Sequence, residues 1–104
     1  MAWKIISATV TVATAGTPVQ VSSTVLYSPS VVIQANTDNA GTVYVGDSLV
    51  DALSTPKIGI ALLARSTITL NEDSKGSDYI DLSKIYIDSG TNGQVVQVMY
   101  MVKV

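Results

Sequence analysis

The chain has 104 residues, a net charge of −2 and a pI of about 4.6, and it contains neither cysteine nor histidine. That length suits one domain, and the composition excludes disulfides, thiolate chemistry and every role of an imidazole, including metal ligation and general-base catalysis. Six basic residues scattered along an acidic chain form no clustered footprint for nucleic acid.

Residues 5–12 alternate with period two, with Ile6, Ala8, Val10 and Val12 on one side and Ser7, Thr9 and Thr11 on the other. This predicts a β-strand with one buried face. The alternation also argues against a secretion signal, whose apolar block is continuous, although Ala13-Thr14-Ala15 mimics a cleavage site. No run approaches the roughly 18 apolar residues of a membrane span. Ala15-Gly16-Thr17-Pro18 breaks the strand, and Pro18 predicts a strand start or a sheet edge because it has no N–H for a ladder. Val19-Gln20-Val21 is a short second strand. Residues 22–30 form a polar loop in which Val25, Leu26 and Tyr27 dip toward the core and Pro29 ends the excursion.

Residues 31–36 and 42–46 are two runs rich in β-branched residues, joined by Thr37-Asp38-Asn39-Ala40-Gly41. Two such runs around a loop of turn formers predict a β-hairpin, with Val31, Ile33 and Ala35 sharing one face and Val43 and Val45 another. Residues 48–57 are irregular. Asp51-Ala52-Leu53-Ser54 has room for one helical turn before Pro56 stops it. Residues 58–64 are apolar, with a bulge or tight bend expected at Gly59. Residues 66–70 alternate, with Ile68 and Leu70 on one side, and residues 71–78 are a charged loop. Residues 79–84 lead into a strand with Ile85 and Ile87 facing in and Tyr86 facing out. Asn92-Gly93 is a strong short hairpin signal before the longest strand, residues 94–104.

Seven or eight short strands, with turn signals about every ten residues and no lasting helical period, predict an all-β single domain over residues 1–104. The expected architecture is a two-sheet β-sandwich, jelly-roll-like, or a small barrel. The expected core is Val10, Val12, Ile33, Val43, Val45, Ile68, Leu70, Ile85, Ile87, Val96, Val98 and Tyr100.

Catalytic constellations are missing from the pattern. Asn71, Asp73 and Gly76 match positions of an EF-hand calcium loop, but Lys75 and Leu82 fall where oxygen ligands belong, so tight calcium binding is not expected. Asp47 and Asp51 near turns read as turn formers rather than as a glycosidase pair. Ser83 and Lys84, adjacent in an expected strand, point to opposite faces and make no dyad. The expectation is no enzyme, no cofactor and no metal. Trp3, Tyr27, Tyr44, Tyr79, Tyr86 and Tyr100 leave room for a sugar-stacking surface, although without phenylalanine some of them must fill the core.

Charged residues make up 13% of the chain, about half the usual share, and mean hydropathy is +0.38. Residues 5–37 carry no charged side chain at all. One reading is a β protein that covers itself with hydroxyls; the other is a surface that meets another protein chain. The last strand favours the second. Val96, Val98, Tyr100, Val102 and Val104 share one face, and Val95, Gln97, Met99, Met101 and Lys103 the other. Both faces are apolar where a half-solvated strand should alternate. Trp3, Val95, Met99 and Met101 are therefore candidate protein-interface residues, with thioethers suited to an uneven partner. The competing assignment makes the methionines core and the Val/Tyr face the outer one.

The order of phrases carries a resemblance. Ala15-Gly16-Thr17-Pro18-Val19-Gln20-Val21 is followed by Val32-Ile33-Gln34-Ala35, then by Asp38-Asn39-Ala40-Gly41-Thr42-Val43-Tyr44-Val45-Gly46-Asp47, then by Asp81-Leu82-Ser83-Lys84-Ile85-Tyr86-Ile87, and Asn92-Gly93 precedes a Val/Tyr strand. From about Ala15 to Tyr100 this resembles small all-β virion structural proteins of tailed bacteriophages, a group that includes head decoration (cement) proteins and short appendage proteins. The phrases are structural and transfer no functional residue. The resemblance implies a protein that binds an assembled capsid or tail, and the leading expectation is a capsid decoration protein that binds and stabilises the assembled head. Its partners would be the major capsid protein or other virion proteins, often with the protein as a homo-oligomer, and without nucleic acid or membrane. It would be made in the host cytoplasm and end in the virion, on the capsid surface. A glycan- or host-surface-binding module on a phage fibre or tail is the alternative.

Overall fold

The alternation at residues 5–12 becomes β1 (Trp3–Val12) in the computed structural model, which describes residues 2–71 and 79–103. Ile6, Ala8, Val10 and Val12 turn inward, and burial deepens along them until Val12 is fully covered. Gly16, at φ 81, and a Thr17 N–H bond to the Thr14 carbonyl (3.1 Å) then turn the chain away. Nine further strands follow: β2 (Val19–Gln20), β3 (Tyr27–Ser28), β4 (Ser30–Ala35), β5 (Val43–Gly46), β6 (Ile60–Leu62), β7 (Thr67–Asn71), β8 (Ile80–Asp81), β9 (Tyr86–Ser89) and β10 (Gln94–Lys103). Among the described residues the helical content is one 3-10 turn, η1 (Leu82–Lys84).

The pairing is nested. The first strand pairs with the tenth, the second with the ninth, the third with the eighth, the fourth with the seventh and the fifth with the sixth, all antiparallel. The chain is thus one long ribbon doubled back at residues 47–59. The ribbon is rolled so that β10 also meets β4 and β9 also meets β5. The result is two four-stranded sheets, β1-β10-β4-β7 and β2-β9-β5-β6, with β3-β8 as a small third ladder. This is the strand order of a jelly roll, a β-sandwich of the kind expected from the strand spacing.

Between the sheets lie Val12, Val31, Ile33, Ala35, Val96 and Val98 from one side and Val43, Val45, Leu62 and Ile87 from the other, with Leu82 and Ile85 closing the end. Each Val, Leu or Ile side chain among them contributes about 1.5–3 kcal/mol on burial. Val10, Ile68, Leu70 and Tyr100 pack on this cluster while partly exposed. Every residue of the expected core is therefore in it or against it. Val31, Ala35, Leu62 and Leu82 join them.

Several local expectations need correction. Residues 31–47 are not a hairpin: β4 and β5 belong to different sheets and never pair. The turn chemistry is present but bonds elsewhere. The Asn39 carboxamide takes both backbone groups of Val95, donating to its carbonyl (2.8 Å) and accepting from its N–H (2.9 Å). Asn92-Gly93 is likewise a passage between sheets, anchored by Gly93 N–H to the Val12 carbonyl (2.8 Å) and Ala15 N–H to Asn92 Oδ1 (2.7 Å). Of Val25, Leu26 and Tyr27 only Leu26 packs inward, while Val25 and Tyr27 stay exposed. Residues 51–54 form no helical turn; Asp51 Oδ1 instead accepts from the N–H groups of Leu53 and Ser54, as a turn former does. Ser83 and Lys84 lie in η1, not in a strand.

Candidate functional site

The two sheets treat their outer faces differently. Over the β2-β9-β5-β6 sheet, the turn of the ribbon folds back as a cover. Val50 and Ala52 are buried in it, and the Ala52 N–H donates to Asp88 Oδ2 (2.9 Å) on β9. Gly59, at φ 126, makes the close approach possible: a side chain there would meet Val50 Cγ2 at 2.8 Å and the Val45 carbonyl at 3.1 Å. Asp88 also accepts from Gly16 N–H (3.0 Å) and Ser89 N–H (2.8 Å), so one buried carboxylate ties two loops to this sheet.

The outer face of the β1-β10-β4-β7 sheet has no such cover among the described residues. Its rows follow from the register. Ser7, Met99, Val32 and Thr69 lie side by side across the sheet, and Thr9, Gln97, Gln34 and Thr67 form the next row. Thr9 Oγ1 donates to Gln97 Oε1 (3.0 Å) within that row. Toward one end Ile5 faces Met101, and Trp3 faces Lys103. Between the first two rows is an open depression of about 270 Å³, lined by Ser7, Val32, Gln34, Gln97, Val98 and Met99. Lys103 is the one charge on the β10 part of this face; its Nζ sits 5.8 Å from the Trp3 ring centroid, at cation–π range.

The four interface candidates fall on this single face. Met99 is 47% exposed at its centre, Met101 and Val95 are half-buried on the same side of β10, and Trp3 is 42% exposed at the end of β1. Val96 and Val98 are buried beneath, so the assignment that made the methionines core does not hold. The Val95 backbone is held in place by the Asn39 carboxamide. Trp3 stands edge-on to Tyr79, with ring centroids 6.3 Å apart at 84°. That pair offers no flat aromatic platform. Ile5, Val32 and Gln34 also line the face but escape a reading strand by strand, since the pairing of β10 with β1 and β4 brings them in.

Asp47 and Asp51 act as turn formers, Asp47 Oδ1 accepting from Leu49 N–H (2.9 Å). Asp81 caps η1: its Oδ1 accepts from Ser83 Oγ (2.7 Å), Ser83 N–H (2.9 Å) and Leu26 N–H (3.4 Å). The Ser83 hydroxyl above all holds the Asp81 carboxyl below the usual aspartate value; desolvation opposes it, and the Ser83 and Leu26 N–H groups and the Lys84 charge lower it further by smaller amounts. Among the described residues no three acidic side chains converge on a metal position, and no helix is long and apolar enough to cross a membrane. The expectation that the loop at residues 71–78 binds no calcium tightly falls on residues 72–78, which lie outside the described residues. No protein-family model matches the chain, and no curated protein matches it significantly.

Proposed function

We propose that this protein is a structural component of a tailed-bacteriophage virion, a decoration protein that binds the assembled head and stiffens it without catalysis or cofactor. The observation that carries the reading is the uncovered outer face of the β1-β10-β4-β7 sheet, apolar and hydroxyl-bearing around Met99 and Met101. Such a face loses little on leaving water and packs by shape rather than by charge. Two ten-residue strands with β4 and β7 beside them present on the order of 500 Å². That is below the ~800 Å² per partner of a standard interface. Many copies on a symmetric shell offset this through avidity. The likeness to phage virion proteins between Ala15 and Tyr100 supports the same reading, and the jelly-roll strand order is one that capsid and lectin domains both use.

The test is co-sedimentation of the purified protein with undecorated heads of the phage that encodes it, alongside host polysaccharide. Binding to heads, lost on Met99→Ser with Met101→Ser, is the expected result. Binding to polysaccharide and not to heads would instead support the glycan-binding alternative.

A further inference from the structure

The four sheet edges are unequal. β2, β6 and β7 are edges of two, three and five residues, whereas β1 is an edge of ten. All ten residues of β1 pair with β10 in unbroken register, so no bulge twists the edge away. The direction of its free groups follows from β10. Val95 turns its N–H and carbonyl to Asn39 and Asn36, and Met101 its N–H to Ser28 Oγ, all on the β4 side. Alternation then bonds the even-numbered residues of β10 to β1. On β1 it leaves Trp3, Ile5, Ser7, Thr9 and Thr11 with N–H and carbonyl turned away from β10, toward a side where no backbone group among the described residues meets them.

Soluble proteins protect such an edge with proline, bulges, brevity or charge. Here there is no proline, no bulge, and one charge, Lys4, near one end. We propose that this edge is a homotypic interface: a second copy of the chain lays its own β1 antiparallel against it, joining the two β1-β10-β4-β7 sheets into one continuous sheet about a two-fold axis. The proposal does not depend on the virion reading.

A second copy is the occupant that the edge itself matches. An antiparallel edge is self-complementary under a two-fold axis, and this one has no charge pattern that would call for a different, oppositely charged partner. With the axis at Ser7, Ile5 faces the partner subunit's Thr9 and Trp3 faces the partner subunit's Thr11. These are aromatic or aliphatic pairs with β-branched residues, which stabilise antiparallel ladders. Lys4 and its counterpart then lie six residues apart along the strands, about 20 Å, well beyond the ~8–10 Å over which exposed charges interact. The dimer also covers Trp3 and Ile5, which are 42% and 54% exposed in the single chain. The strip is about 34 Å by 10 Å, smaller than a standard interface, so association is concentration-dependent. It closes at two copies, because each chain has one long edge.

The experiment is sedimentation equilibrium of the full chain up to about 1 mM, with backbone amide exchange at both ends of that range. The expected mass rises from 10.9 kDa to twice that value and stops, and exchange at Ile5, Ser7 and Thr9 slows as it rises. Ser7→Lys with Thr9→Lys, whose side chains are exposed and leave the fold intact by circular dichroism, keeps the chain monomeric. Met99→Ser with Met101→Ser leaves the dimer in place. In this cysteine-free chain Ser7→Cys gives a disulfide dimer on oxidation. A chain that stays at 10.9 kDa throughout, a mass that climbs past two copies, or a dimer that survives the lysines and dissolves with the serines overturns the proposal.

Discussion

Asp88 is fully buried, and its two carboxylate oxygens are satisfied by the N–H groups of Gly16, Ala52 and Ser89. Asp88→Asn sets an NH₂ against the Ala52 N–H in one orientation and against the Gly16 and Ser89 N–H groups in the other. An unsatisfied buried group of this kind costs about 2–3 kcal/mol, to be read as a lower urea midpoint at unchanged slope. Asp81 predicts a pH dependence. Its folded pKa lies below the unfolded value, so its contribution is complete above the unfolded pKa, near 4. It is lost as pH falls through the lower folded value. Melting temperature should drop in that acid window, and Ser83→Ala, which removes the largest cause, should flatten the drop. Gly93 sits at φ 79 with no heavy atom within 4 Å of where a side chain would start. Gly93→Val should therefore cost about 1–2 kcal/mol through backbone strain alone, with Gly93→Asn costing less because Asn tolerates that region. Equal melting temperatures for the three proteins would contradict the strain argument.

Strands were legible as elements because period two is written directly into residues 5–12 and 66–70, and a run rich in Val and Met follows Asn92-Gly93. Their partners were not. The same Asn, Asp and Gly residues serve a hairpin within one sheet and a passage between two, and only the bonds they make distinguish the cases. Asn39 bonding to Val95 instead of closing β4 onto β5 is the instance here. On β10 the two faces look equally apolar in sequence, yet one holds buried Val96 and Val98 and the other exposed Met99. Met99→Ser with Met101→Ser should accordingly leave the protein folded, with a change in urea midpoint worth less than about 1.5 kcal/mol, since half-exposed positions lose little transfer energy. Val96→Ser with Val98→Ser should unfold it, because polar groups replace methyls in a dry core.

At the scale of the molecule the nested ribbon joins the ends of the chain: Trp3 lies opposite Lys103, and every other pair closes inside that one. Contacts are therefore non-local, and the expected refolding time is milliseconds to seconds rather than microseconds. Stopped-flow refolding within tens of microseconds would be inconsistent with this topology. Far-UV circular dichroism should show less than about a fifth helix, since η1 spans three residues among those described.

Composition and periodicity alone determined the fold class, eight of the twelve buried residues of the core cluster and the absence of imidazole and thiol chemistry. These follow from which side chains leave water and from which atoms the chain possesses. The sheet in which each strand lies, the covering of one outer face by Val50 and Ala52, and the baring of the other around Met99 were decided by tertiary structure. Burial needs an apolar face but does not name its partner, and several pairings satisfy the same alternation. Only the rolled ribbon, which sets β10 between β1 and β4, brings Trp3, Val95, Met99 and Met101 onto one surface and leaves β1 with an open side.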